Sequence, residues 1–342
     1  MTSVRKAGTR PRGPWAALAR PACFLVALAA LAAPLLLGGC AAKAAPRVVP
    51  VSAAKLPAAE ALAKGVESLA QGQYELAVNY LSRALEADPR LAEAYLARGK
   101  TLHAMGNYEQ ALFDFNRAVN LRPDWAVAYY DRATAYLALK RPREALEDQR
   151  AALRLDPGMA VAHNDMGLAL EALDRPEEAL QAFDAAIRVS GGRLAQAFYN
   201  RGTLRLRDNL LDAAGEDLIR AVELDPGLAP ALNNLGILRD RTGAYEEAVQ
   251  AFDAAIALAP KDPALYLNRG IAHENQNRYD KAIQDYTRAL ALKPGYAQAL
   301  HNRGVLFMRL SARTRACEDF EAACRLGLCH RHEASKKLGL CW

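Results

Sequence analysis

Between residues 58 and 328 the chain repeats one pattern of apolar and polar positions. Two apolar stretches at helical spacing are split by a short polar turn, such as Met105-Gly106-Asn107 or Thr242-Gly243. That spacing predicts amphipathic helices, and the turns predict that consecutive helices fold back on each other. Small residues fix the register. Gly65, Gly99, Gly167, Gly202, Gly236, Gly270 and Gly304 stand at multiples of 34 residues, with one step of 35 between Gly167 and Gly202, and Ala133 takes the missing place. Twelve residues after each comes alanine: Ala77, Ala111, Ala145, Ala179, Ala214, Ala248, Ala282 and Ala316. Seven later comes alanine again: Ala84, Ala118, Ala152, Ala186, Ala221, Ala255, Ala289 and Ala323. Pro89, Pro123, Pro157, Pro226, Pro260 and Pro294 close most units, because the residue before proline is driven out of the helical conformation.

Gly at position 8, Ala at 20 and 27 and Pro at 32 of a 34-residue unit resemble the tetratricopeptide repeat family over residues 58–328. The resemblance implies an all-α fold, a right-handed superhelical solenoid of about eight helix-turn-helix repeats. The units are 58–91, 92–125, 126–159, 160–194, 195–228, 229–262, 263–296 and 297–328. The physics of the pattern agrees. Small residues let helix A, helix B and the next helix A approach closely. Tyr95, Phe115, Tyr129, Phe183, Phe198, Phe252, Tyr266, Tyr286 and Phe320 fill the space around them. No unit buries its apolar face alone, so the array is one solenoid, not the two domains that 342 residues would suggest. Ser190-Gly191-Gly192 stands where unit 4 lacks its proline and holds the extra residue, as either a hinge or a tolerated loop insertion.

Positions 7 and 23 vary together. Units 2, 3, 5, 7 and 8 hold Arg98 with Asp114, Arg132 with Asp148, Arg201 with Asp217, Arg269 with Asp285 and Arg303 with Asp319. Units 1, 4 and 6 hold Lys64, Met166 and Leu235 with Tyr80, Ala182 and Ala251. Antiparallel helices bring the two positions to similar heights, which predicts structural ion pairs between helices A and B. Joint replacement follows because a half-buried pair punishes loss of one partner more than loss of both.

By the same resemblance, helices A line a concave groove that takes a partner protein or an extended peptide. Position 6 carries Asp131, Asp165, Asn200, Asn234, Asn268 and Asn302; position 5 adds Tyr130, Tyr199, Asn164, Asn233 and His301. In the family, asparagine here hydrogen-bonds a bound peptide's backbone, a task suited to a group that both donates and accepts. Alternatively these amides pair with the neighbouring helix or with water. Arg207, Arg241 and Arg309 at position 13 make the groove acidic early and basic late. The family's carboxylate clamp needs Asn at position 9, which here holds Lys100, Thr134, Leu168, Thr203, Ile237, Ile271 and Val305.

Apolar residues make up 52% of the chain and charged residues 24%, as in folded soluble proteins. The net charge of +6 would suggest nucleic acid, but five of the 44 basic residues lie in 1–39 with no acid, leaving 39 against 38. No phosphate-binding footprint remains, so nucleic acid is not expected as a partner. A basic segment followed by the apolar run Cys23–Leu37 reads as a secretory signal. Leu37-Gly38-Gly39-Cys40 resembles the lipobox of bacterial lipoproteins, which implies cleavage after residue 39 and a diacylglyceryl group on Cys40. Several acyl chains would then anchor the chain to the bilayer. Pro34, Gly38 and Gly39 argue against an uncleaved spanning helix. Ala41 and Ala42 follow Cys40 with no aspartate, which by resemblance points to the inner leaflet of the outer membrane, facing the periplasm. Residues 40–57, rich in Ala, Pro and Val, read as a lipidated tether.

The remaining cysteines, Cys317, Cys324, Cys329 and Cys341, lie in the last 26 residues. In an oxidising compartment they are expected as disulfides of a cap over 329–342. A helix from about Thr314 to Leu326 separates Cys317 from Cys324 by seven residues, about 10.5 Å, beyond disulfide reach. A second short helix, His332 to Leu338, returning antiparallel predicts Cys324–Cys329 with Cys317–Cys341. The crossed pairs Cys317–Cys329 and Cys324–Cys341 would need the opposite direction. Cys324-x4-Cys329-His330 also resembles a rare haem c attachment, and Cys329, His330 and His332 a zinc set. No Gly-rich phosphate loop, HExxH or nucleophile elbow occurs. The expectation is a non-enzymatic, cofactor-free, metal-free binding scaffold of the bacterial envelope, similar to NlpI-type or PilF/PilW-type lipoproteins. The second reading is an electron-transfer or metal-binding lipoprotein built on the C-terminal Cys/His cluster.

Overall fold

The computed structural model describes residues 56–341; the signal, Cys40 and the tether up to residue 55 lie outside them. Among the described residues there are seventeen α-helices and no strand. Eight pairs follow in order: α1 (Ala58–Ala70) with α2 (Tyr74–Ala87), α3 (Ala92–Ala104) with α4 (Tyr108–Leu121), α5 (Ala126–Ala138) with α6 (Pro142–Leu155), and α7 (Ala160–Ala172) with α8 (Pro176–Val189). Then come α9 (Ala195–Arg207) with α10 (Leu211–Leu224), α11 (Ala229–Arg241) with α12 (Tyr245–Leu258), α13 (Pro263–Asn275) with α14 (Tyr279–Leu292), and α15 (Ala297–Arg309) with α16 (Arg313–Arg325). Helix α17 (His330–Lys337) follows alone. Each helix packs on its predecessor and successor in the chain, and on little else, which makes a solenoid.

The turn inside each pair is made by one residue in the left-handed region, at position 15. Gly72, Gly106 and Gly243 hold it, but so do Lys140, Asp174, Asn209, Asn277 and Ser311, with φ of 57–61°. Its backbone closes helix A: Gly106 N donates to the His103 carbonyl and Asn107 N to the Leu102 carbonyl. Helix B ends where the residue before proline turns extended, as at Asp88, φ −139°. In unit 4 this device is absent, and Gly191 and Gly192, both at positive φ, take the extra residue. Gly192 N still reaches the Ile187 carbonyl at 2.8 Å, so the insertion is absorbed in a closed turn.

All sixteen alanines at positions 20 and 27 are 0% exposed. Position 8 sits under the side chain at position 24: a Cβ on Gly99 would lie 2.6 Å from the Phe115 ring, and one on Gly236 2.6 Å from Phe252. Unit 3 departs at both places. Ala133 replaces the glycine and Gln149 replaces the ring, a thinner side chain that leaves room for the extra methyl. Gln149 is 0% exposed and neither amide atom has a hydrogen-bond partner among the described residues.

The C-terminal cysteines form Cys317–Cys341 and Cys324–Cys329. Helix α16 stops at Arg325 rather than Leu326, because Gly327 at φ 97° breaks it, and α17 begins at His330 rather than His332. Both thiols of the Cys324-x4-Cys329 spacing are thereby spent on each other.

Candidate functional site

The arginines at position 7 tie A and B together and also reach backwards. Arg98 donates from Nε and Nη2 to Asp114 at 2.7 and 2.8 Å, and from Nη1 to Ser82 Oγ of the preceding repeat. Arg132 holds Asp148 at 2.6 Å and Asn116 at 2.8 Å. Arg201 holds Asp217 and Asp184, Arg269 holds Asp285 and Asp253, and Arg303 holds Asp319 and Thr287. Arg205 adds a second guanidinium to Asp217 at 2.8 Å. These forks are two-bond contacts to nearly buried carboxylates, and the charged partners raise the pKa of Arg98 and Arg269 further. They are structural.

Position 6 lies on the inner row of helices A. Asn200, buried, donates to Asn164 Oδ1 at 2.9 Å and accepts from Gln196. Asn234 donates to Thr203 Oγ1, and Asn268 to Asn233 Oδ1, both at 2.9 Å. Asn302 accepts from Gln298. One N–H of each amide in α9, α11 and α13 is thus given to the preceding helix A. The second N–H of each Nδ2, and Oδ1 of Asn268, carry no bond within the described residues. The amides therefore bind neighbouring helices and keep part of their capacity.

The acidic half differs. Asp131 lies 3.0 Å from Lys100 Nζ, and burial, opposed by Lys100, pushes its carboxyl up. Burial also pushes Asp165 up, opposed only by neutral donors, Asn164 at 3.0 Å and the Tyr130 hydroxyl. Burial and Asp165 together push the Tyr130 phenol well above its ordinary value. Tyr199 packs partly buried against the cluster of Leu206, Ala214, Leu218 and Leu238. The basic half is largely occupied: Arg207 holds Glu171 at 2.8 Å, Arg241 donates to the Leu206 carbonyl and Arg309 to the Tyr279 hydroxyl.

Among the described residues no three His, Cys, Asp or Glu side chains gather as metal ligands, and no helix is long and apolar enough to cross a membrane. The row offers amides, carboxylates and phenols in fixed register. That suits recognition of an extended polypeptide.

Family models described as tetratricopeptide repeat match residues 92–124 and 263–296, and residues 130–193 and 164–229. A third, described as TPR repeat, matches 67–106 and 241–277. No curated protein matches. Among solved structures, the APC/C hetero-tetramer Cut9–Hcn1 is 18% identical with a TM-score of 0.61, over 78% of this chain and 52% of that one. The chain thus spans about half the length of that relative. PilF of Pseudomonas aeruginosa is 23% identical, TM-score 0.56, over 61% of this chain and 94% of its own. PilW, a type IV pilus biogenesis factor, is 21% identical, TM-score 0.56, over 61% and 96%. The likeness to these structures is one of fold.

Proposed function

We propose that this chain, which belongs to the tetratricopeptide repeat family, is a non-enzymatic scaffold of the bacterial envelope. It is anchored by acyl chains on Cys40, faces the periplasm from the outer membrane, and binds a partner protein or extended peptide along the inner faces of its helices A. The observation that carries the reading is the register of Asp131, Asp165, Asn200, Asn234, Asn268 and Asn302. Polar side chains, carboxylate in units 3 and 4 and amide in units 5 to 8, recur at 34- or 35-residue spacing along the array, and Asn200, Asn234 and Asn268 each keep an unused N–H. Acceptors in units 3 and 4 and amide donors in units 5 to 7 suit the alternating N–H and C=O groups of an extended peptide.

The test is site-resolved photocrosslinking in the native membrane. A photoreactive residue at Tyr199 or Asn302 is expected to capture one partner. The same residue at Gln181 or Gln250, exposed on helices B, is expected to capture none. Capture from the helix B positions alone would refute groove binding. Replacing Asn234 and Asn268 by alanine is a poorer test. Both amides also bond neighbouring helices, so affinity and stability would fall together, each lost bond by about 1 kcal/mol.

A further inference from the structure

The basic end of the groove runs into a cavity of about 360 Å³ between α15, α16 and α17. Val305, Met308, Phe320 and Leu338 supply its apolar wall, and Arg309 and Arg331 flank it. Leu338 is 73% exposed, an uncovered apolar side chain at the edge of an apolar hollow. Helix α17 has only eight residues, too few to cover the face of the thirteen-residue α15. Arg309, at position 13 of unit 8, belongs both to the basic end of the groove and to the wall of this cavity, so the two adjoin.

The charge around it is net positive. Residues 297–341 hold eight Lys and Arg against four Asp and Glu. Two of those acids are already paired, Asp319 with Arg303 and Glu321 with Arg325. Arg331 has no hydrogen bond or ion pair among the described residues, and Arg309 gives one N–H to Tyr279. His301 and His330 stand 4.8 Å apart beside them. A cationic segment would be repelled here. A carboxylate would meet two guanidiniums with unused donors.

We propose that this cavity anchors a bulky apolar side chain from a partner segment rich in Asp and Glu. The inference deepens the groove reading and rests on it: the cavity is where such a segment would be fixed at one end. An apolar residue enters between α15 and α17, and acidic side chains flanking it meet Arg309 and Arg331. A pocket of this size, lined by apolar groups with few polar ones, is the usual form of an anchoring site.

The test uses the full-length chain and displayed random dodecapeptides. Peptides selected on the wild type are expected to carry Leu, Ile, Met or Phe beside Asp or Glu. They should bind at least tenfold more weakly to Ala334→Phe, which fills the cavity, and to Arg331→Glu, which reverses its charge. Both sites are exposed, so the melting curve should hold; independently of either variant, peptides with the acids changed to Asn and Gln should lose the same affinity. Selected peptides that lack the acidic-apolar pair, or bind both variants as tightly as wild type, would overturn the cavity assignment and leave groove binding standing. Recovery of no peptide at all would overturn both.

Discussion

In unit 7, removing Arg269 alone should do more damage than removing Arg269 and Asp285 together. Arg269 donates to Asp285 at 2.9 and 2.6 Å and to Asp253 at 2.5 Å. The Asp285 side chain is 7% exposed and that of Arg269 22%, whereas Asp253 is 54% exposed. Arg269→Leu strands a nearly buried carboxylate, and losses of about 3–5 kcal/mol follow from such stranding. The Asp253 contact adds little, because exposed pairs contribute about 0–1 kcal/mol. Arg269→Leu with Asp285→Ala reproduces what unit 6 carries, Leu235 with Ala251, and strands nothing; about 1–2 kcal/mol is expected there. Arg269→Leu should therefore cost about 2–3 kcal/mol more than the double change, and the coupling in the cycle is that difference plus the loss with Asp285→Ala alone. His273 Nε2 lies 3.9 Å from Asp285; burial lowers its pKa while Asp285 raises it, so the cycle is measured above neutral pH to keep the imidazole from supplying a replacement charge. The assay is urea denaturation read by hydrogen exchange on α13 and α14, since repeat arrays do not unfold as one unit. Additive losses would refute the reasoning.

Lys140 sits at φ 57° where Gly106 sits at 80°; Lys140→Gly should gain about 1 kcal/mol and Gly106→Ala lose about as much, and a loss with Lys140→Gly in a melting series would contradict the turn. Gln149→Met should stabilise unit 3 by about 1–3 kcal/mol, since it removes two buried unbonded polar atoms at constant volume; an unchanged or lower melting temperature would show the amide is satisfied. Burial raises the Asp165 carboxyl, so the folded state binds the proton more tightly and stability falls as pH rises through the raised value. Asp165→Asn should accordingly raise the melting temperature at pH 7, with the gain fading as the solution is acidified through that range; destabilisation at pH 7 would refute it. Cys40→Ala should abolish acylation, and mass spectrometry of the membrane-bound mature protein finding an unmodified Cys40 would overturn lipid anchoring.

The repeat was legible because its spacing is rigid: a glycine under a ring and two alanines in a helix crossing admit almost no other residue. The ion pairs were legible for the same reason, as two positions exchanged together. Their third member was not. Ser82, Asn116, Asp184, Asp253 and Thr287 all accept from the arginine of the next unit. The signal was present at position 25, where Arg150 and Ile219 precede the two later units without arginine. It was hidden because the acceptors differ in type and lie in another repeat. The Ala133–Gln149 exchange was hidden likewise, since only the packing shows which side chain overlies position 8. The groove was the least legible part. An asparagine reads alike whether it faces a ligand or a neighbouring helix, and here its hydrogens are divided between the two.

The backward reach of the arginines makes the array a spring of uneven stiffness. Five of its seven joints carry a guanidinium rivet from one coil to the next. The joints between units 3 and 4 and between units 5 and 6, where Met166 and Leu235 stand, lack the position-7 rivet; the second keeps a single guanidinium bond, from Arg241 to the Leu206 carbonyl. Under tension, or when a partner pulls the coil to a new pitch, strain collects at those two joints. The array then moves as three stiff segments, units 1–3, 4–5 and 6–8. Pulling a single molecule by its ends should accordingly give three steps rather than eight equal ones.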